Sequence, residues 1–249
     1  MPAMSQKHLN FLEKYGYFDR FGPKAKNAVR STDEVREAIE SMQRFAGLPV
    51  TGEIDEETAE MMAKPRCGNK DTGLTTRYNT AGTNLKWKTN DLYYTFVNYS
   101  PDMTKWNIRV STSDAFQMWS DVTPLTFTKK GGLPAEIRIE FADRVHSSDP
   151  DDPVFDGPWG VLAHAFYPSS GWGEVNGDIH LDEEETFQKG EGDDVNLFSV
   201  MTHEIGHALG LAHSNVYDAV MYPTYRTYTA DFALHQDDID GIQSIYGSK

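Results

Sequence analysis

The run His203-Glu204-Ile205-Gly206-His207-Ala208-Leu209-Gly210-Leu211-Ala212-His213 narrows what this chain can be more than any other part of it. On a helix, His203 and His207 are four residues apart and share one face, so their imidazoles can reach a single ion. Gly210 can take the positive φ of a sharp turn, which brings His213 back as a third ligand. Three neutral nitrogens at about 2.0–2.1 Å suit zinc and leave one tetrahedral position for a water, whose pKa the metal lowers towards neutrality. Glu204 then stands beside that water as its base.

With Gly210 and His213 in register, and the tight segment Asp218-Ala219-Val220-Met221-Tyr222-Pro223 following, the pattern resembles that of the metzincin proteases. The resemblance makes Met221 the hydrophobic floor under the metal, and Ser214, directly after the third histidine, narrows it to the matrix metalloproteinases. Astacins and adamalysins are the alternatives among enzymes. A catalytically inactive zinc scaffold that adheres to matrix is the alternative of another class, against which Glu204 argues, since a structural site needs no base beside an open position.

A single cysteine, Cys67, excludes an intrachain disulfide and is either an inert buried thiol or a functional one. Its context, Pro65-Arg66-Cys67-Gly68-Asn69-Lys70-Asp71, matches the cysteine switch of the same family. A tethered thiolate is a soft zinc ligand that can fill the open fourth position and displace the hydrolytic water, which would make the chain latent. The astacins and adamalysins lack this switch. The resemblance also implies an Arg66–Asp71 pair holding the loop.

Charge divides the chain. Residues 1–77 carry 12 basic and 12 acidic side chains, whereas residues 78–249 carry 11 basic and 26 acidic, so the whole net charge of −15 lies in the second part. An acidic domain of this kind argues against nucleic acid or an anionic membrane as partner and is compatible with hard cations such as calcium. No run of about 18 apolar residues could span a bilayer, and the N-terminus lacks the order of a signal peptide. Secretion is therefore implied by the resemblance alone, with any leader already removed.

Residues 1–77 read as a small helical unit. Helices are expected near 5–14, then from the Ser31/Glu34 capping box through Val35, Ile39, Met42 and Phe45 to Gly47, then over 56–63 between Asp55 and Pro65. This three-helix bundle resembles the metalloproteinase prodomain, and a peptidoglycan-binding module is the rival reading for this segment. Residues 72–91, rich in Thr, Asn and Gly, read as an exposed linker. The resemblance places the mature N-terminus at Tyr78, with a trypsin-like or autolytic cut after Arg77.

The catalytic part, 78–249, is expected to be a mixed α/β domain. Strands are read at 92–99, 125–129, 137–141, 160–167 and 177–182. A helix carries Ile108, Thr112, Ala115, Phe116 and Trp119 on one stripe, the zinc helix covers 195–210, and a last helix turns Ile239, Ile242 and Ile245 inward. As in the family, this makes a twisted five-stranded sheet with three helices.

Further sites follow from the resemblance. His146, His164 and His180 with Asp149, or alternatively Asp151, would hold a structural zinc in a closed four-ligand site. The spacing from His146 to Asp149 is one residue longer than the family's. Asp156, Asp182 and Glu185, with the carbonyls of Gly157, Trp159 and Val161, would hold calcium. A second calcium would use Glu136 and Asp178 with the Glu174 and Asn176 carbonyls. Leu162 and Ala163, on the edge strand, would pair with an extended substrate. Ser199, Val200, Pro223 and Tyr225 would line the pocket for the side chain after the scissile bond. The expected protein is a monomeric, secreted, latent endopeptidase carrying two zinc ions and at least one calcium. It would act on extracellular-matrix proteins, collagen among them, and be held by endogenous metalloproteinase inhibitors.

Overall fold

The computed structural model describes residues 4–22, 29–72, 85–146, 154–168 and 175–249. Its N-terminal unit is the expected bundle: α1 (Gln6–Lys14), α2 (Thr32–Ala46) and α3 (Glu56–Met62). Each begins at a residue that suits the exposed N–H groups of a first turn. Ser5 caps α1, Ser31 and Glu34 form a reciprocal capping box on α2, and Asp55 accepts from Thr58 N on α3. Gly47 ends α2 in the left-handed region, at φ 71°. Leu12, Phe18, Ile39, Met42 and Ile54 form the core.

One polar side chain inside this unit is fully satisfied. Gln43 is buried, its Nε2 shares two N–H groups among Thr51 Oγ1 (2.8 Å), Glu53 O (2.9 Å) and Thr58 Oγ1 (3.0 Å), and its Oε1 accepts from Thr51 N and Gly52 N. These bonds fix the turn between α2 and α3, and so the direction in which the chain leaves the bundle.

The larger unit is built on one sheet of six strands. They are β1 (Arg66–Cys67), β2 (Asp91–Phe96), β3 (Thr126–Lys129), β4 (Ile137–Ala142), β5 (Val161–Ala165) and β6 (Ile179–Asp182), in the order β1-β5-β6-β4-β2-β3. Only the β5–β6 pair is antiparallel. Five of these strands are the expected sheet. The sixth, β1, is the Arg66–Cys67 segment itself, running parallel to β5 with Arg66 opposite Val161 and Cys67 opposite Ala163. A strand of two residues has no hydrophobic period, which is why the sequence presents it only as a ligand loop.

Three helices complete this unit: α4 (Lys105–Val122) and α5 (Leu197–Ala208) pack on the sheet, and α6 (Gln236–Tyr246) packs on α4. On α4, Ile108, Thr112, Ala115, Phe116 and Trp119 all face inward and are buried. The Trp119 indole donates to Thr202 O at 3.0 Å, which ties α4 to α5 and sets the zinc helix against the sheet. On α6, Ile242 is fully buried, while Ile239 and Ile245 are half-buried.

Several boundaries differ from the sequence reading: β2 ends at Phe96 rather than 99, β5 spans Val161–Ala165 rather than 160–167, β6 starts at Ile179 rather than 177, and α5 ends at Ala208 rather than 210. Asn196 lies outside α5 as its N-cap, accepting from Ser199 N at 2.9 Å, so the helix starts at Leu197 rather than 195. The exposed linker ends before Trp87, whose indole donates to Ala208 O (2.9 Å) and whose backbone N–H meets Tyr246 Oη (3.1 Å). A single aromatic in a polar run gives no period to detect. The expected cut at Arg77 and Tyr78 lies outside the described residues.

Candidate metal centre and substrate cleft

α5 carries His203, Glu204 and His207, and the chain then reverses at Gly210, whose φ is 107°. A Cβ there would lie 2.3 Å from Leu85 O, so this turn needs glycine for space as well as for conformation. Gly206 is required for a different reason. A Cβ on it would fall 2.3 Å from Met221 Sδ, because the methionine packs directly against the helix between the two histidine positions. Asp238, at the start of α6, holds that methionine turn by accepting from Val220 N (2.8 Å) and Met221 N (3.0 Å).

Each of the three imidazoles has its Nδ1 engaged outward. His203 Nδ1 lies 2.7 Å from Val220 O, His207 Nδ1 2.7 Å from Leu211 O, and His213 Nδ1 2.8 Å from Asp71 Oδ1. These oxygens fix the Nδ1–H tautomer and aim each Nε2 lone pair inward. Burial pushes His203 down to about 3 and lowers His207 and His213 as well, so all three are neutral, as metal ligands must be.

The inward atoms converge. His203 Nε2 and His207 Nε2 are 3.1 Å apart, and Cys67 Sγ is 3.5 Å from His207 Nε2. Four donors about 2.0–2.3 Å from one centre sit roughly 3.3–3.6 Å from each other in a tetrahedron, so these spacings fit one zinc ion. His213 Nε2 and Glu204 Oε2 are buried and find no protein partner. Burial, with the Glu204 carboxylate, pushes the Cys67 thiol well up, and burial lifts Glu204 to about 8. A thiolate in that position therefore needs a cation beside it.

His146, His164 and His180 form the other group among the described residues whose ligand atoms all lie within 4.8 Å of one another. His164 Nε2 is 3.2 Å from His180 Nδ1, and His146 Nδ1 is 2.8 Å from Asp143 O. Asp149 and Asp151 lie outside the described residues. In the acidic loops, Asp156 Oδ1 accepts from Val161 N (2.7 Å) and Glu185 Oε1 from Trp159 N (2.6 Å), while Asp182 Oδ2 is buried without a partner. Burial, then the nearby Asp182 and Asp156, raise Glu185 to about 7, which a divalent cation would relieve. Gly157 and Trp159 both adopt positive φ, at 92° and 63°. At the second expected calcium position, Glu136 accepts from Tyr93 N at 2.9 Å and Asp178 is ion-paired with Arg138. Asn176 is half-buried there, and Glu174 lies outside the described residues.

Beside the histidines a cavity of about 440 Å³ is lined by Leu162, Ser199, Val200, Pro223, Tyr225 and Phe232, among others. The segment around Cys67 closes its mouth by bonding to both walls. Arg66 N donates to Gly160 O (2.9 Å) and Gly68 N to Ala163 O (2.8 Å) on one side, and Cys67 N to Pro223 O (2.9 Å) on the other. Tyr225 N donates to Pro65 O at 2.8 Å. Leu162 and Ala163 are thus beside a strand already, supplied by the chain itself.

Asp71 links these parts. It is ion-paired with Arg66, accepts from Tyr17 Oη at 2.7 Å and meets His213 Nδ1. Burial alone would raise it, but Arg66 and then His213 outweigh that and hold its carboxyl at about 2. The Arg66 guanidinium in turn lies 3.5 Å over the Tyr15 ring. The pairing with Arg66 is the expected one; the contacts to Tyr17 and His213, and the role of Asp238, have no signal in the local sequence.

Three neutral imidazoles, a base and an internal thiol at one point, beside a cleft that binds an extended strand, are the parts of a zinc-dependent peptidase. Residues 86–247 match the family model described as Matrixin, and residues 6–62 match a putative peptidoglycan binding domain. The chain is 42% identical to human neutrophil collagenase over 98% of its own length and 51% of that protein's. It is 46% identical to matrix metalloproteinase-18 of Xenopus laevis over 85% of this chain and 43% of the relative, and 45% identical to interstitial collagenase of Sus scrofa over 88% and 44%. The chain belongs to the matrixin family. It spans about half the length of the relatives it matches. No helix among the described residues is long and apolar enough to cross a membrane.

Replacing Asp71 with Asn leaves Arg66 as an uncompensated buried charge, a loss of about 3–5 kcal/mol for a buried pair. The uncleaved Asp71→Asn chain should turn over a quenched peptide measurably faster than uncleaved wild type. Equal silence of the two would show that Asp71 does not seat the Cys67 loop.

Proposed function

We propose that this chain is the latent form of a secreted endopeptidase acting on extracellular-matrix proteins, collagen among them as the names of its relatives suggest. Residues 1–77 are the inhibitory prodomain and 78–249 the catalytic domain, with activation by a trypsin-like or autolytic cut after Arg77. The observation that carries this reading is the position of Cys67 Sγ, 3.5 Å from His207 Nε2 and at the fourth corner of the three-histidine group. The same helical unit that matches a peptidoglycan-binding model ends in this thiol, which favours an inhibitory role over wall binding.

A zinc ion on His203, His207 and His213 supplies polarisation of the scissile carbonyl and acidification of a water. The chain's own residues do the rest. Once Cys67 has left, Glu204, buried and with Oε2 free of protein partners, takes the proton of the attacking water and hands it to the leaving amine. The edge of β5 at Leu162 and Ala163 holds the substrate backbone by strand addition. A second zinc on His146, His164 and His180, with Asp149 as the fourth ligand, and at least one calcium near Asp156, Asp182 and Glu185 hold the loops flanking β5. The enzyme is a monomer subject to endogenous metalloproteinase inhibitors, which would use the same cleft.

The pocket wall at Ser199 supports a preference for long apolar side chains after the scissile bond. Ser199 is small, and its hydroxyl is already satisfied by Asn196 O at 3.0 Å. At about 0.8 kcal/mol per buried methylene, Leu should exceed Ala there by roughly 2 kcal/mol, about thirtyfold in kcat/KM.

Trypsin-activated Glu204→Ala enzyme should keep its zinc, measured by metal analysis, and lose about 10²- to 10⁴-fold in peptide turnover. Activity within tenfold of wild type would remove Glu204 from the mechanism. Ser199→Arg should penalise long side chains most in a peptide library varied at the position after the cut, and an unchanged profile would place the pocket elsewhere.

A further inference from the structure

Five residues beyond the cavity wall at Leu162, the chain leaving β5 reaches Tyr167. The ring of Tyr167 stands edge-on to the metal-ligand ring of His207, with centroids 5.6 Å apart and planes at 84°. Its hydroxyl oxygen is buried. The side chain lying against that hydroxyl is Asn69, which belongs to the inhibitory segment and is pinned by donating to Ala165 O (2.8 Å) and accepting from Ala165 N (3.1 Å). Cys67 and Glu204 are also within electrostatic reach of the phenol. Removal of the inhibitory segment takes away both Asn69 and Cys67, and the phenol then faces the cleft beside the metal group.

We propose that Tyr167 is a substrate-binding residue of the activated enzyme, its phenol donating a hydrogen bond to a carbonyl acceptor on the substrate residues that precede the scissile bond. The side of the cleft follows from the layout. Leu162, Ser199 and His203 line the pocket, whereas Tyr167 stands against His207, five residues further along the chain from Leu162 and outside that lining. Once Asn69 has gone the phenol has lost its side-chain partner, and a shielded donor without a partner is costly, so an acceptor delivered by substrate is bound with gain. In the latent chain the Asn69 carboxamide is the side-chain partner of the phenol, and its removal with the inhibitory segment leaves that place to the substrate.

The inference rests on the proteolytic reading above. Wild-type turnover tests that reading, whereas only the comparison of Tyr167→Phe with wild type tests this one. Phe keeps the ring against His207 and removes the donor alone. For a peptide with three residues before the cut, Tyr167→Phe should lower kcat/KM about three- to tenfold, mainly through KM, because a bond made equally in ground and transition states is uniform binding. For a truncated peptide with a single residue before the cut, it should change nothing. In an activated Glu204→Ala background, which binds without cleaving, the Kd of the long peptide measured by calorimetry should rise by the same factor. Zinc content and unfolding temperature should match wild type. Equal loss on long and short peptides would make Tyr167 a structural support of His207, and no loss on either would leave the phenol without a role in binding; each result overturns the proposal.

Discussion

Everything in the active half is arranged around three imidazole lone pairs aimed at one another. Neutral nitrogens 3.1 Å apart, each held by an oxygen on its far side, repel unless a cation lies between them. The fold supplies what this convergence needs. Trp119 fixes the zinc helix to α4, Gly210 permits the reversal to His213, and Asp238 holds the methionine turn whose Val220 carbonyl orients His203. Gly206 lets Met221 approach the helix closely enough to back the site.

On the proposed reading, the segment around Cys67 pairs as a substrate would and adds two contacts that a substrate lacks. It fills the cleft as a sixth strand, bonds to both walls, and brings Cys67 to the fourth corner. Through Asp71 it also takes the Nδ1 of His213, so it reaches the metal group directly through sulfur and indirectly through a ligand's outer partner. Tethering makes these contacts effective even if each is modest, because the local concentration of an intramolecular ligand is high. The Tyr17 and Tyr15 contacts to Asp71 and Arg66 carry the prodomain's packing to the thiol. On the proposed reading, release of the bundle would loosen the switch without any chemistry at sulfur.

The parts of this arrangement that were legible in the sequence are those set by local spacing. The histidine triplet, Glu204, Cys67 and the capped helices each depend on residues a few positions apart, and periodicity or motif reveals them. His164 and His180 sit opposite each other on paired strands, a register the alternation of β5 and β6 leaves implicit. Contacts between residues far apart were not legible. Asp71 and His213 are 142 residues apart, the β1 strand is too short to show alternation, and Trp87 is a lone aromatic in a polar stretch. Tyr167 follows a strand in a way no pattern distinguishes from a surface residue. Only its neighbours in space, His207 and Asn69, give it meaning.

The central claim is that the intact chain is silent because Cys67 sulfur is bound to the metal on His203, His207 and His213. Zinc-edge X-ray absorption on the intact chain and on the same sample after trypsin cleavage, with peptide turnover recorded in parallel, tests it directly. A sulfur shell at about 2.3 Å should be present in the silent intact chain and absent in the active cleaved one, replaced by nitrogen and oxygen scattering alone. A silent intact chain with no sulfur on zinc, or an active chain that retains it, would contradict the account.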